Sequence, residues 1–325
     1  MTEFIFVTAN DIHICDTNPR ARIDNFTDAI FGKLGQIKAV CEKLKADAFL
    51  LAGDLYHFKK PERNSHNLNV RLISLFKSFP CPVYMIEGNH DLMENDLGTL
   101  DNQALGVLYA DGTIHQLRHE VIEKDDLKVS LVGVPYTEGL DLTTVKLPAK
   151  DGAVAQICLL HLYAGLKSTM LFNNKIYGYD EIGKLGADIF VIGHYHIDQG
   201  IYKQNNQYFV NIGSLSRGTL SEENIDHHPQ MGLIRIKSDG NEMSYTLNPI
   251  KLKIKPASEV FDLTKKEEEK KESKEIETFI NKLSSETSSL ESGVTVESAV
   301  TNMDMDQAIR DSVMHYIQEA LAKRK

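Results

Sequence analysis

Aspartate, asparagine and histidine recur in this chain in short groups, each standing just after an apolar run. The groups are Asp11-Ile12-His13, Gly53-Asp54, Gly88-Asn89-His90-Asp91, His161 and Gly193-His194-Tyr195-His196. A single D-x-H or G-D arises often by chance; the whole set in this order does not. The side chains offer carboxylate, amide and imidazole donors without a thiolate, which suits Mn²⁺, Fe²⁺ or Zn²⁺. Two such ions about 3.5–4 Å apart would clamp the attacking and leaving oxygens of an in-line displacement. The pair needs a bridging carboxylate, and Asp54 is the expected bridge. The chemistry expected is hydrolysis of a phosphoester.

Donors spread from position 11 to position 196 can meet only if the fold gathers them. Apolar runs over Phe4–Val7, Ala48–Leu51, Val83–Ile86, Val129–Val132, Ile157–Leu160, Ile189–Ile192 and Tyr208–Ile212 read as strands. Most are near-continuous rather than alternating, as in sheets covered on both faces. Helical stretches lie between them. One spans roughly Asp24–Lys45, with Phe26, Ile30, Leu34, Ile37, Val40 and Leu44 at helical spacing; another spans roughly Ser65–Ser78. The alternation predicts an α/β fold, a two-sheet sandwich flanked by helices, whose strand ends deliver the donors to one edge. Met231–Ile236 and Glu242–Leu247 flank Ser238-Asp239-Gly240 and read as a hairpin.

At 325 residues and 42% hydrophobic, the chain can bury one large core with an appendage. Cys15, Cys41, Cys81 and Cys158 lack C-x-x-C spacing, so neither a thiolate zinc site nor a disulfide frame is expected. Cys158 reads as a small core residue. No stretch approaches membrane-spanning length and no basic leader precedes an apolar one, so a cytoplasmic protein without membrane partners is expected. The net charge of −10 argues against strong intrinsic affinity for nucleic acid. Two bound divalent cations would nonetheless reverse the local sign at the site.

Domain 1–255 is followed by a change of composition. Lys265–Lys274 is a charge run, with Ile276, Phe279, Ile280 and Leu283 at helical spacing after it. Ser284–Thr301 reads as a linker. Ile309, Val313, Ile317 and Leu321 then form a second stripe. Region 256–325 is thus expected to be a helical extension, either folded back on its own domain or docking a partner.

The pattern D-x-H, G-D, G-N-H-D, H, G-H-x-H resembles the calcineurin-like metallophosphoesterase superfamily over roughly residues 1–255. Within it, Gly53-Asp54-Leu55-Tyr56-His57 is similar to the second motif of the SbcD-type double-strand-break repair nucleases. Arg22-Ile23-Asp24 and Gly213-Ser214-Leu215-Ser216-Arg217 are further echoes. The resemblance implies one metal on Asp11, His13, Asp54 and His196, and a second on Asp54, Asn89, His161 and His194. It implies Mn²⁺ as the principal ion, with Fe²⁺ or Zn²⁺ as alternatives. His90 would be the general acid, a role that an imidazole can fill near neutral pH. His57 would help to position the phosphate, and Arg217 would contact it.

The same resemblance implies a DNA exo- or endonuclease subunit acting in repair, recombination or replication. Its partners would be DNA, an SbcC-type coiled-coil ATPase bound through the C-terminal region, and a second copy in a homodimer. Ile14-Cys15 departs from the turn that usually follows D-x-H in those nucleases. The alternative is a small-molecule or cyclic-nucleotide phosphodiesterase with the same metal site. A protein phosphatase would carry Asp-Arg-Gly where Asp54-Leu55-Tyr56-His57 stands. A non-catalytic scaffold would have lost ligands that are all present here. Asp91 either braces its loop or orients His90, Lys59, Lys60 and Arg63 form either a basic rim or a solvated loop, and His227-His228 reads as a solvated loop.

Overall fold

A computed structural model describes residues 1–171, 174–239 and 242–264. In chain order the first half lays down β1 (Thr2–Ala9), α1 (Phe26–Leu44), β2 (Ala48–Leu51), α2 (His66–Lys77), β3 (Val83–Met85), α3 (Ala104–Ala110) and β4 (His115–Gln116). Then come β5 (His119–Lys124), β6 (Leu127–Val134), β7 (Ala155–His161), β8 (Ala164–Gly165), β9 (Thr169–Leu171), β10 (Asn174–Gly178) and α4 (Tyr179–Gly183). The last elements are β11 (Ile189–Gly193), β12 (Gly200–Gln204), β13 (Gln207–Asn211), α5 (Glu222–Asp226), β14 (Gln230–Ser238), β15 (Met243–Lys251) and α6 (Ala257–Val260).

Two six-stranded sheets result, ordered β15-β14-β1-β2-β3-β4 and β12-β13-β11-β7-β6-β5. Strand β1 shows why its sequence is apolar throughout. Phe4 and Phe6 point between the sheets, where they meet Leu50, Leu131, Ile157, Leu159 and Val191. Ile5 and Val7 point the other way and pack with Phe26, Ile30, Leu34 and Ile37 of α1. On the far side of the second sheet, Cys158, Leu160, Phe190 and Ile192 are covered by Tyr179 and Ile182 of α4. Helix, sheet, sheet and helix therefore stack as four layers, and strands buried on both faces need no polar alternation.

The helices start and stop where local chemistry dictates. Asn25 caps α1 by accepting from the Asp28 amide, and Ser65 caps α2 by accepting from Leu68. Lys45 ends α1 in the left-handed conformation, with its N–H closing on Cys41 and Glu42 carbonyls. Both helices match the expected spans within two residues. The hairpin is present as β14 paired antiparallel with β15; Gly240 of its turn lies outside the described residues.

Met1–Phe261 makes one compact unit, which runs past residue 255. The cause is visible in Val260 and Phe261, both buried, and in the bridge between Arg22 and Phe261. The charge run and the two expected helices, with Ile276–Leu283 and Ile309–Leu321, lie outside the described residues. Among the described residues, no helix is long and apolar enough to cross a membrane.

Candidate metal centre

Parallel pairing of β1, β2 and β3 sends their C-terminal ends to one edge of the first sheet. Parallel β7 and β11 do the same in the second. Asp11 and His13 follow β1, Asp54 follows β2, and Asn89 and His90 follow β3. His161 is the last residue of β7, while His194 and His196 follow β11. The loops are tied together: the His13 amide donates to the Asp54 carbonyl at 3.0 Å, and the Ile14 amide to Leu55 at 2.9 Å.

The expected ligands converge in two groups that share Asp54. Asp11, His13, Asp54 and His196 form one, and Asp54, His161 and His194 the other, with donor atoms in each group within 4.8 Å of one another. Asp54 stands between them with its two oxygens in different roles. Its Oδ1 accepts from the His90 amide at 2.7 Å. Its Oδ2 faces His13 Nε2 at 3.4 Å and His161 Nε2 at 3.5 Å, the position of a bridging atom. The His194 amide donates to both oxygens of Asp11, at 3.0 and 3.1 Å.

The donor set fits a pair of cations on its own geometry. His161 Nδ1 donates to the Ala52 carbonyl at 2.7 Å, which turns the Nε2 lone pair inward. That lone pair faces Asn89 Oδ1 at 3.2 Å as well as Asp54 Oδ2, so three acceptors crowd one point. His13 Nε2 and His196 Nε2 approach to 2.9 Å, a spacing open both to two ligands of one ion and to an N–H···N bond between the rings. Acceptors repel unless something positive lies among them. Without a metal that charge is a proton on His161: burial works against it, but the Asp54 and Asp11 carboxylates push its pKa up to about 9. A divalent ion would take the proton's place.

The other charges agree. Burial works to raise the Asp54 pKa, yet the imidazoles of His161 and His13 hold it well below the usual carboxylate range. Burial raises Asp11. Burial holds His13 well down, and burial with the His161 charge brings His194 to about 3, so both rings present free lone pairs.

Backbone conformation carries the same mark. Asp11, His13, Asp54 and His194 all have positive φ, at 50°, 47°, 56° and 89°. Such values are uncommon for residues other than glycine and are tolerated where the surroundings over-determine them. Gly53 (φ +94°) and Gly88 allow the loops to touch. A Cβ on Gly53 would lie 2.3 Å from His161 Nδ1, and one on Gly88 would lie 2.1 Å from Asp54 Oδ1.

His90 and His57 stand beside the first group. His90 Nδ1 donates to the His57 carbonyl at 2.7 Å, leaving Nε2 free, and the rings of His57 and His90 lie 5.8 Å apart. His57 stands at the lip of the site with part of its ring open to solvent; the burial of the rest, together with the charge on His90, lowers its pKa. Asp91 braces the loop. Its carboxylate accepts from the amides of Asp54, Leu55, Tyr56 and Gly88, at 2.9, 3.1, 3.2 and 3.0 Å. Burial and the neighbouring Asp54 carboxylate push its pKa up, against the pull of those amides.

Arg217 is a correction to the expected phosphate contact. It is only 3% exposed, and its guanidinium donates to the carbonyls of Asn224, Lys255 and Ile225, at 2.9, 3.1 and 3.1 Å. Its neighbours Ser216 and Gly218 line the cleft instead. Lys59 donates to Asn95, and Arg63 lies 3.5 Å over the Phe58 ring, so neither side chain stands free. His227 and His228 lie in the loop before β14, where His228 is exposed; His227 bonds the Ser214 carbonyl and His228 the Leu252 carbonyl. Cys15 is buried and lines the cleft with His13, His57 and His90.

Three residues around His194 escaped the sequence reading. Tyr163 and Tyr136 place their rings against His194, and Tyr195 packs its ring edge-on to Tyr163. An aromatic inside G-H-x-H and another two residues after His161 were the available signals for Tyr195 and Tyr163; Tyr136 had none.

Comparison with known proteins agrees with this architecture. The family model for calcineurin-like phosphoesterases matches residues 5–198. A candidate 5'-nucleotidase of Staphylococcus aureus superposes with TM-score 0.51 at 14% identity, covering 78% of this chain and 55% of that one. The NAD nucleotidase of Haemophilus influenzae gives 0.48 at 14% identity, covering 77% and 50%, and a dimetal phosphatase of Danio rerio 0.47 at 11%, covering 77% and 99%. The chain spans about half the length of the first two. At 14% identity the likeness to the Staphylococcus aureus protein is one of fold alone. The matched segment holds every converging donor, and the chain belongs to the calcineurin-like phosphoesterase family of metal-dependent phosphoester hydrolases.

Proposed function

We propose that the chain is a two-metal DNA nuclease subunit of the SbcD type, cleaving phosphodiester bonds with Mn²⁺ as its principal ion. One observation carries the preference for a diester within a polymer. The centre opens on two sides: a cleft of about 130 Å³ lined by His57, Cys15 and Thr219, and another of about 280 Å³ lined by Asn89, Tyr163 and Tyr195. His90 and His196 line both. A phosphate held there has room for a substituent on either side, which a chain needs and a terminal monoester does not.

In this reading Asp11, His13, Asp54 and His196 hold one ion, and Asp54, Asn89, His161 and His194 the other. Bound there, the ions would neutralise charge at the phosphate and acidify a water. The His90 N–H to the His57 carbonyl fixes the His90 ring, so that Nε2 can pass a proton to the departing oxygen. His57, exposed beside it, steadies the phosphate. The C-terminal region docks a coiled-coil ATPase of the SbcC type, and the nuclease acts as a homodimer within that assembly.

The test is cleavage of linear DNA by the full chain with its partner ATPase and Mn²⁺. Cleavage is expected, and His90→Ala should lower it by about 10²–10⁴-fold with metal content unchanged. A chain ending at Phe261 should fail to co-purify with the ATPase. Absence of cleavage on every DNA substrate, with rapid turnover of a cyclic nucleotide, would overturn the DNA reading in favour of a small-molecule phosphodiesterase.

A further inference from the structure

We infer that Tyr163 and Tyr195 form a stacking wall for the nucleobase next to the scissile phosphate, on the side of the His161–His194 group. The inference rests on the reading of a nucleoside phosphoester as substrate, and it adds a base-recognition subsite to the metal chemistry.

The Tyr163 ring lies 4.0 Å from the His194 ring at 56°, and 5.8 Å from the Tyr195 ring at 73°. Tyr136 stands behind, 5.4 Å from His194 and 6.0 Å from His161. Tyr163 and Tyr195 are only half-buried. They form one side of the 280 Å³ cleft whose floor is Asp54, Asn89 and His194, and Ile197, 43% exposed, extends its rim. Among the described residues neither hydroxyl has a hydrogen-bond partner, in contrast to Tyr56, which donates to Asn69 at 2.7 Å. These two rings are therefore held by neither the core nor a polar anchor, and they border the point where a phosphate would sit.

Half-exposed aromatic faces beside a phosphate site match the way single-stranded nucleic acid is held. Every base offers a π-face, so stacking tolerates sequence and adds affinity without reading it. It also requires the base to be out of a duplex, so the wall favours a frayed or single-stranded end. The cleft carries no row of lysines or arginines among its lining residues. Aromatic contact would then supply grip that an acidic chain cannot draw from basic side chains.

The experiment compares kcat/KM on base-bearing and base-free substrates. One set is a single-stranded oligonucleotide carrying one tetrahydrofuran abasic residue, moved stepwise along the chain. The other is a nucleoside 2',3'-cyclic phosphate against ribose 2',3'-cyclic phosphate. The wild-type protein should lose about 5–150-fold when the base beside the scissile phosphate is missing. Tyr163→Leu and Tyr195→Leu should lose a similar factor on base-bearing substrates and little on base-free ones, while Tyr195→Phe keeps wild-type behaviour. Equal turnover of base-bearing and base-free substrates by the wild-type protein would overturn the inference, whatever the variants do. Equal losses on both by the Leu variants would also overturn it, leaving the tyrosines as mere braces for His194. Base-dependent turnover of the cyclic nucleotide without any cleavage of DNA would sustain the wall and defeat the nuclease reading.

Discussion

At the scale of single residues, the centre depends on atoms that touch no metal. Asp91 gathers four amide N–H groups from the loops after β2 and β3 and so fixes where Asp54 can point. Asp91→Asn would replace one acceptor oxygen with a donor facing donors. Each orphaned buried amide costs about 1–3 kcal/mol, so a loss of that order in urea denaturation is expected, together with weaker Mn²⁺ binding. Wild-type stability and affinity in the variant would contradict the bracing role. The donor types and their convergence were legible in the sequence because Asp, Asn and His at strand ends have few other reasons to recur. The direction of a side chain was not. Arg217 follows a motif at the cleft, yet it turns inward, because Asn224, Ile225 and Lys255 present carbonyls there that only the folded chain brings near.

At the scale of elements, strand ends set the ligands and helix α1 locks the loops around them. Lys33 of α1 is buried and donates to the Leu215 carbonyl at 2.6 Å, while Arg22 binds Asp24 and the Arg217 carbonyl. Burial, with the charges of Arg22 and Arg217, brings the Lys33 pKa down to about 7. The unfolded chain keeps its lysine protonated to about pH 10.4. Between those values the unfolded state binds more protons, so stability rises with pH through that window and levels off below it. The stability of Lys33→Met measured relative to the wild type should therefore fall, by about a few kcal/mol, from pH 7 to pH 9.5 in denaturant titrations. A gap that does not change with pH would contradict a depressed Lys33. The long helices and two-sided strands were readable from periodicity. Strands β5 and β12 were not, because β5 is mostly exposed and β12 polar, so neither has an apolar signature.

At the scale of the molecule, two sheets meet so that three strand ends of one and two of the other surround a single carboxylate. Because Asp54 Oδ2 faces His13 on one side and His161 on the other, it belongs to both halves of the sandwich. Sequence order assigned these donors to a site and the family resemblance divided them about Asp54; why Asp54 stands between the groups is visible only with the sheets packed. The direct measurement is the number of Mn²⁺ ions held per chain, read by native mass spectrometry on the full-length protein and on Asp54→Asn. Two ions in the wild type, and at most one in Asp54→Asn, are predicted. A wild-type chain that takes up one ion or none at saturating Mn²⁺, or an Asp54→Asn chain that still holds two, would contradict the bridged centre.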